Sequence, residues 1–321
     1  MSDLTNLLRL ANSSGYDRQK MLGSGWFNQY LAKKSYPSEK RRELLKGDAN
    51  EVTTLVITEV EETILGAAKD RAVFRNILPI VESETYKGRI PYAKNPSNFA
   101  PIIPEASAIE VATTPVDSTT VTIEKAATQP LITNEMIEDE KYSTIELELK
   151  RAGVRLENTL NQRCLDTLLD DHGTTPTDID PAGAKIAWSD VLGGIKTVTN
   201  LNWNPNTFVV HPEAQYWLYS GSKEVFSLSF DGKTPILGMN CYTLEINTSD
   251  RATSYWDATD ASNHYYGMIF DSLNYAAILM RHDIKTEKYN DPIYDLKRLT
   301  ATMRFGVAVT NDDACVLILS K

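Results

Sequence analysis

What this sequence has little of narrows it first. Three cysteines occur in 321 residues, at Cys164, Cys241 and Cys315, far apart and mostly within apolar runs. There is no Cys-x-x-Cys, so a disulfide framework and a cysteine zinc site are both excluded. The pattern reads as reduced, buried thiols of an intracellular protein. There are four histidines, His172, His211, His264 and His282, and none stands three or four residues from another ligand type in a metal-like pair. No Gly-x-Ser-x-Gly, P-loop or Gly-x-Gly-x-x-Gly occurs. No apolar run approaches the ~20 residues that cross a bilayer. No N-terminal apolar segment reads as a secretory signal, so the sequons at Asn12 and Asn247 are chance matches. Positive charge is short as well: 33 Lys and Arg face 43 Asp and Glu, a net −10. That argues against a whole-surface nucleic-acid binder, which needs clustered cations.

What is present is size and order. The length suits about two domains with a sizeable buried core. Residues 1–47 run against the overall charge, with nine Lys or Arg and four Asp or Glu. Lys40, Arg41 and Arg42 read either as a solvated helix face or as a basic arm that meets nucleic acid or an acidic neighbour. Trp26, Phe27, Tyr30 and Leu31 form an apolar stripe too small to hold a core of its own, so it packs on the main body or on another subunit. From Asp48 to residue 75, Val52, Leu55, Val56, Val60, Ile64 and Ala67 recur at helical spacing.

A proline-rich segment follows. Ile77–Val81 and Thr119–Ile123 look like strands, and Pro91, Pro96, Pro101, Pro104 and Pro115 between them forbid helix and central strand. So long a stretch without regular structure is uncommon inside a domain. It reads as a two-stranded arm that leaves the body and returns, and it needs a partner surface because it has little core to bury. "PLITNEMIEDEKY", residues 130–142, reads as a helix entry with Thr133 as cap, a hinge between arm and helix. From Ser143 to about Asp170, Ile145, Leu149, Ala152, Leu156, Leu160, Cys164 and Leu168 step by three or four, giving one helix of about 40 Å. Gly153 within it signals a close neighbour, and Gly173 is a C-terminal stop. Beyond Lys185 the chain alternates helices (188–201, "PEAQYWLYSG") with strands ("TFVVHP", "YTLEI", "YYGMIFD", "YAAILMRH"). It closes with two strands about a turn at Asn311-Asp312-Asp313.

Chemistry is sparse. Asp170, Asp171, Asp178 and Asp180 cluster after the long helix. A solvated loop is the first reading and a hard-cation site the second. His211 before Pro212 reads as a structural hydrogen-bonding residue. An enzyme assembled from scattered groups would draw on His211, Asp271 and Arg281. Tyr216-Trp217 and Tyr265-Tyr266 lack the interleaved basic residues of a base-stacking platform and read as core or interface.

The order of these elements, with "LITNEMIEDEKYSTIELELKRAGVRLENTLNQRCLDTLLDD", "VVHPEAQYWL", "TPILGMNCYTL", "GMIFDSLNYAAILMR" and "RFGVAVTNDDACVLI", resembles the major capsid proteins of tailed double-stranded DNA viruses, the Hong Kong 97-type fold. In that family an Ile-Thr or Ile-Ser pair precedes the long helix. A His-Pro opens a helix, Leu-x-Gly precedes a strand, an Asp follows a strand, and Arg-Phe-Gly comes near the end. The resemblance covers about residues 48–321 and departs at Met239-Asn240, where many relatives carry a proline. The N-terminal extra is shorter than the cleaved scaffolding region of some relatives, which suggests a separate scaffold or none.

The resemblance implies an α+β fold. Residues 1–47 would be an N-terminal arm, 48–81 a helix and strand leading into the loop, and 82–122 the extended loop. Residues 123–184 would be a peripheral domain with the spine helix, and 185–282 an axial domain. Residues 283–303 would be the peripheral return strand and 304–321 the axial closing strands. It implies a structural protein of the virion capsid, assembled in the host cytoplasm, with no catalytic residue, cofactor, metal or membrane. Hexamers and pentamers of the chain would close an icosahedral shell around double-stranded DNA without sequence specificity, meeting portal, scaffold and decoration proteins. Intersubunit contacts would fall on Tyr86, Lys87, Arg89, Tyr92, Lys94 and Phe99 of the loop and on Trp26 and Phe27, with Lys40, Arg41 and Arg42 facing nucleic acid. The alternative is an encapsulin-type compartment of the same fold that holds enzymes.

Overall fold

The computed structural model describes residues 60–94, 116–133, 142–172, 178–181, 185–221, 231–244, 256, 265–291 and 296–319. Expectations on Trp26, Phe27, the 40–42 basic cluster, the Asp48 cap, Phe99, residues 134–141 and Gly173 lie outside them. The described chain divides into two compact units. One takes residues 60–72, 125–159 and 282–304. The other takes 73–124, 160–281 and 305–319.

In the first unit, helix α1 (60–69) buries Val60, Ile64 and Ala68, and Ile145, Leu149, Ala152 and Leu156 are buried as well. The last four lie on the first part of the long helix. The helical period does not carry α1 to residue 75. The chain turns at Asp70-Arg71, and a separate single turn, α2 (Phe74–Ile77), follows. The apolar spacing continues across the break, but Ala72 ends one unit and Val73 begins the other, so one repeat feeds two cores. Strand β4 (Glu124–Thr128) precedes the stretch read as a helix entry, and β5 (Leu131–Thr133) occupies its start. Thr133 ends β5, opposite Leu296 of strand β11 (Leu296–Val309), and the turn it was expected to cap lies outside the described residues. The peptide ladder to β11 satisfies this backbone, and a single-sequence pattern does not reveal that.

Helix α3 (Tyr142–Asp170) has 29 residues, about 43 Å at 1.5 Å per residue. A Cβ on Gly153 would run into the Ile64 carbonyl and come within 3.3 Å of the Ala68 nitrogen. The glycine signal for a close neighbour is thus met by α1. Past Thr159, α3 belongs to the second unit, where Leu160, Cys164, Leu165 and Leu168 are buried.

The second unit is built on a five-stranded sheet ordered β12-β9-β6-β8-β7. These strands are β6 (Thr207–Val210), β7 (Asp231–Ile236), β8 (Met239–Thr243), β9 (Tyr265–Phe270) and β12 (Cys315–Leu319). Both β6 and β9 are buried at every residue, which is why they read as unbroken apolar runs rather than alternation. Helices α4 (Trp188–Asn200) and α5 (Pro212–Gly221) contribute Val191, Ala214 and Leu218 to the same core as Phe208, Cys241, Tyr266 and Ile269. Asp190 starts α4 by accepting the Ala187 N–H at 2.8 Å. Strand β8 ends at Thr243, short of the expected "YTLEI" span. The three cysteines are buried and form no disulfide, and burial pushes the Cys241 thiol up to about 12. No helix among the described residues is long and apolar enough to cross a membrane.

Strands β10 (Ala276–Asp291) and β11 are long, 16 and 14 residues, and each serves both units. The "YAAILMRH" strand therefore runs well past His282. Strand β1 (Ile80–Glu82) pairs in parallel with Ile278–Met280 of β10. Ile77, expected to open a strand, is instead buried in α2.

Candidate functional site: the two-stranded arm

The arm is a hairpin of β2 (Lys87–Ala93) and β3 (Val116–Thr122), antiparallel from Lys87 opposite Thr122 to Ala93 opposite Val116. The outgoing strand starts at Lys87, ten residues after the expected Ile77. Pro91 sits inside it, opposite Ser118. A proline is tolerated because β2 and β3 form a two-stranded sheet, so each is an edge with one side free of ladder bonds.

Alternation decides which face is held. Gly88 and Ile90 of β2 and Val121 of β3 point inward and are buried, whereas Lys87, Arg89 and Thr120 point outward. Ile90, Val121 and Ile123 pack with Ala277 and Leu279 of β10 and Ala308 of β11. Two glycines allow the close approach. A Cβ on Gly88 would collide with the Leu279 side chain. One on Gly306 would lie 2.6 Å from Val121 Cγ1 and 2.7 Å from the Thr122 oxygen. Thr119 Oγ1 donates to the Val309 carbonyl at 3.3 Å. The Ile123 N–H donates to Tyr86 O at 3.1 Å, closing the root. Thr85 stiffens the entry by donating its hydroxyl to Lys87 O at 2.8 Å. At the exit, Glu124 meets Arg163 of α3 at 2.8 Å.

Among the described residues beyond this root most are exposed. Pro91, Ala93, Lys94, Asp117 and Ser118 are exposed, and Val116 is 70% exposed. The structure therefore splits the residues expected to face a neighbour. Tyr86, Lys87 and Arg89 are exposed at the root, and Tyr92 is half-buried further out. Lys94 pairs with Asp117 across the hairpin at 2.7 Å. That hydrogen bond raises the ammonium pKa and lowers the carboxyl pKa, which the Ser118 N–H also lowers. The residues that hold the arm were missed in the sequence. The signal was there in "KGRIPYA" and "STTVTI", where Gly88, Ile90 and Tyr92, and then Val121 and Ile123, fall at every second place, but five prolines obscured it.

The scattered enzyme residues do not converge. His211 follows β6 at Val210, the end paired with Gly267, whereas Asp271 follows β9 at Phe270, the end paired with Thr207. The two lie at opposite ends of the sheet, and Arg281 is exposed on β10 of another sheet. Each of the first two has a structural task. His211 Nδ1 accepts the Glu213 N–H at 3.3 Å, capping α5. The buried Asp271 carboxylate accepts the Leu273 N–H at 3.1 Å and the Asn274 amide at 2.8 Å, closing a turn. Trp217 and Tyr266 meet edge to face at 5.1 Å in the core. Among the described residues no three His, Cys, Asp or Glu are placed to hold a metal ion.

No protein-family profile matches the chain, and no curated protein does. Solved structures do. The virus-like particle from Pyrococcus furiosus is similar over 82% of this chain and 98% of its own, at 13% identity and a TM-score of 0.55. The capsid of cyanophage P-SCSP1u is similar over 78% and 88%, at 12% identity and 0.56. The mature capsid of bacteriophage PhiM1 is similar over 77% and 86%, at 12% identity and 0.54. The chain has the Hong Kong 97-type fold of tailed-phage capsid proteins. Residue identity this low carries the architecture alone; the assembly and its contents are a matter of proposal.

Proposed function

We propose that this chain is the structural subunit of a virion capsid, a major capsid protein without catalytic activity. Copies form hexamers and pentamers that close into an icosahedral shell around packaged double-stranded DNA. The observation that carries the reading is the arm, pinned at its root and largely exposed at the described residues beyond it, in a chain of capsid fold. A two-stranded hairpin whose described residues bury one face only near the root has little core of its own to stabilise it. A neighbouring copy supplies the missing surface, and closed symmetry repeats each modest contact many times. The outward side chains Lys87 and Arg89 and the exposed Tyr86 are the proposed contact residues, with Tyr92, Lys94 and Phe99 further along the arm. Trp26 and Phe27 join them from the N-terminal segment, and Lys40, Arg41 and Arg42 face the genome. Residues 123–184 and 283–303 are assigned to a peripheral domain, 185–282 and 304–321 to an axial one. Portal, scaffold and decoration proteins are the expected partners in the virion.

Negative-stain microscopy of the purified chain tests the reading. Closed shells or capsomers are expected. A discrete monomer or dimer at every concentration and salt tried overturns it. Nuclease-protected DNA in native particles is the second expected result; enzyme cargo without DNA would move the chain to the encapsulin-type alternative.

A further inference from the structure

The last carbonyls of α3 need donors beyond the helix. His172, two residues past Asp170, turns back to supply one: its Nδ1 lies 2.8 Å from the Leu169 carbonyl. Its Nε2 lies 3.3 Å from Asp178 Oδ2. Both partners are acceptors. A neutral imidazole carries a single N–H and serves one of them, whereas imidazolium donates to both. The negative end of the α3 dipole favours the cation further.

Asp178 has a second contact. Its Oδ1 accepts the Leu317 N–H of β12 at 3.4 Å. Ile179 then donates to Leu317 O at 2.9 Å and accepts from the Leu319 N–H at 3.0 Å, bridging in parallel to Ile318. Strand β12 ends the five-stranded sheet, so these bonds cover an edge that would otherwise offer unpaired backbone. One carboxylate thus joins the end of the long helix to the cover of a sheet edge.

We propose that His172 and Asp178 form a proton-operated latch that holds residues 178–181 over the free edge of β12, closed when His172 is charged and loosened when it is neutral. The groups around the ring are consistent with this. Asp178 comes from the crossing segment and Asp170 and Asp171 from the ring's own turn. Tyr265 of β9 lies edge-on at 6.0 Å. Tyr275 and Cys315 lie deeper, where burial pushes both far up and keeps them neutral. The Asp178 hydrogen bond raises the His172 pKa above its ordinary value, with burial opposing it and the Leu169 carbonyl assisting. A raised value in the folded state means that the latch is fully closed below about 6.5, the unperturbed histidine value, and opens as pH rises through the folded value. An opened edge is a template for strand addition by another chain.

The test uses the full chain. Histidine C2–H exchange, read by mass spectrometry across pH, gives the His172 midpoint. Amide exchange in peptides covering 178–181 and 315–319 gives the state of the cover. The expected result is a midpoint above about 6.5 that falls in Asp178→Asn. Protection at Ile179 and Leu319, corrected for intrinsic exchange, should drop severalfold as pH rises through that midpoint and should be flat in His172→Gln. A midpoint at or below the ordinary value, or the same pH dependence of protection in His172→Gln, overturns the latch. Where Asp178→Asn fails to fold, the wild-type and His172→Gln curves decide alone.

Discussion

Gly153 shows how a single residue is decided by its neighbour rather than by its own helix. In an exposed helix interior, glycine-to-alanine stabilises by about 1 kcal/mol. Here the new methyl meets the Ile64 carbonyl, a backbone atom that cannot swing aside, and overpacking of this kind costs about 1–3 kcal/mol. Gly153→Ala is therefore expected to lower the melting temperature by several degrees in a thermal scan, the reverse of the propensity rule. Lys94 is the opposite case. Its ion pair with Asp117 is short, but both side chains are about half exposed, and such pairs contribute little. Lys94→Met should leave the melting temperature unchanged. Any effect it has should appear in assembly, read as particle yield against salt concentration. Spacing alone revealed that Gly153 had a close neighbour. Which atom it meets, and hence the sign of the substitution, needed the packed pair of helices.

At the scale of elements, the arm root is the part whose loss is most specific. Ile90 and Val121 are buried against Leu279 and Ala308, and truncating a buried aliphatic residue costs about 2–5 kcal/mol for the larger cases. The double change Ile90→Ala with Val121→Ala should free the hairpin while leaving the five-stranded sheet intact. Limited proteolysis is expected to cut between residues 86 and 123 faster than in wild type, with unchanged far-ultraviolet circular dichroism and few closed shells by microscopy. Normal shells from that variant would remove the arm from the assembly mechanism. Helix α3 was legible to within a residue at its start and end, because its apolar residues keep one period over the whole length. Strand β2 was not, since Pro91 reads as a breaker until β2 is known to be an edge. Strand β5 was hidden for a related reason: the polar run "TNEMIEDE" suits a helix start, and only pairing with β11 makes Leu131–Thr133 a strand. Most of the stretch read as a hinge lies outside the described residues. The described contacts that orient the arm are those of its root.

For the whole molecule, the proposed function links stability to assembly. A partner that binds only the folded subunit raises its apparent stability by mass action. Assembled particles are expected to melt at a higher temperature than dissociated subunits, and the gap should shrink in the arm-root variant. Differential scanning calorimetry of the two species at equal chain concentration checks this; equal melting temperatures would mean that assembly contributes nothing to subunit stability. The net charge of −10 adds a second dependence, because like-charged subunits repel. Shell formation should be favoured by moderate salt up to the point where specific ion pairs are screened.

The sequence by itself determined the local grammar of this protein: one very long helix, fully buried strands at β6 and β9, a proline-rich excursion, reduced cysteines, and an element order that names the fold. These follow from periodicity and composition, which act over a few residues at a time. The tertiary structure alone decided the rest. It split one apolar repeat between two cores at Ala72 and Val73, and set His211 and Asp271 at opposite ends of a sheet. It brought Gly88 and Gly306 against the arm root and Asp178 between His172 and β12. Each of those outcomes depends on which distant backbone comes within a few ångströms, and burial and pairing at that range are properties of the packed chain rather than of any window along it.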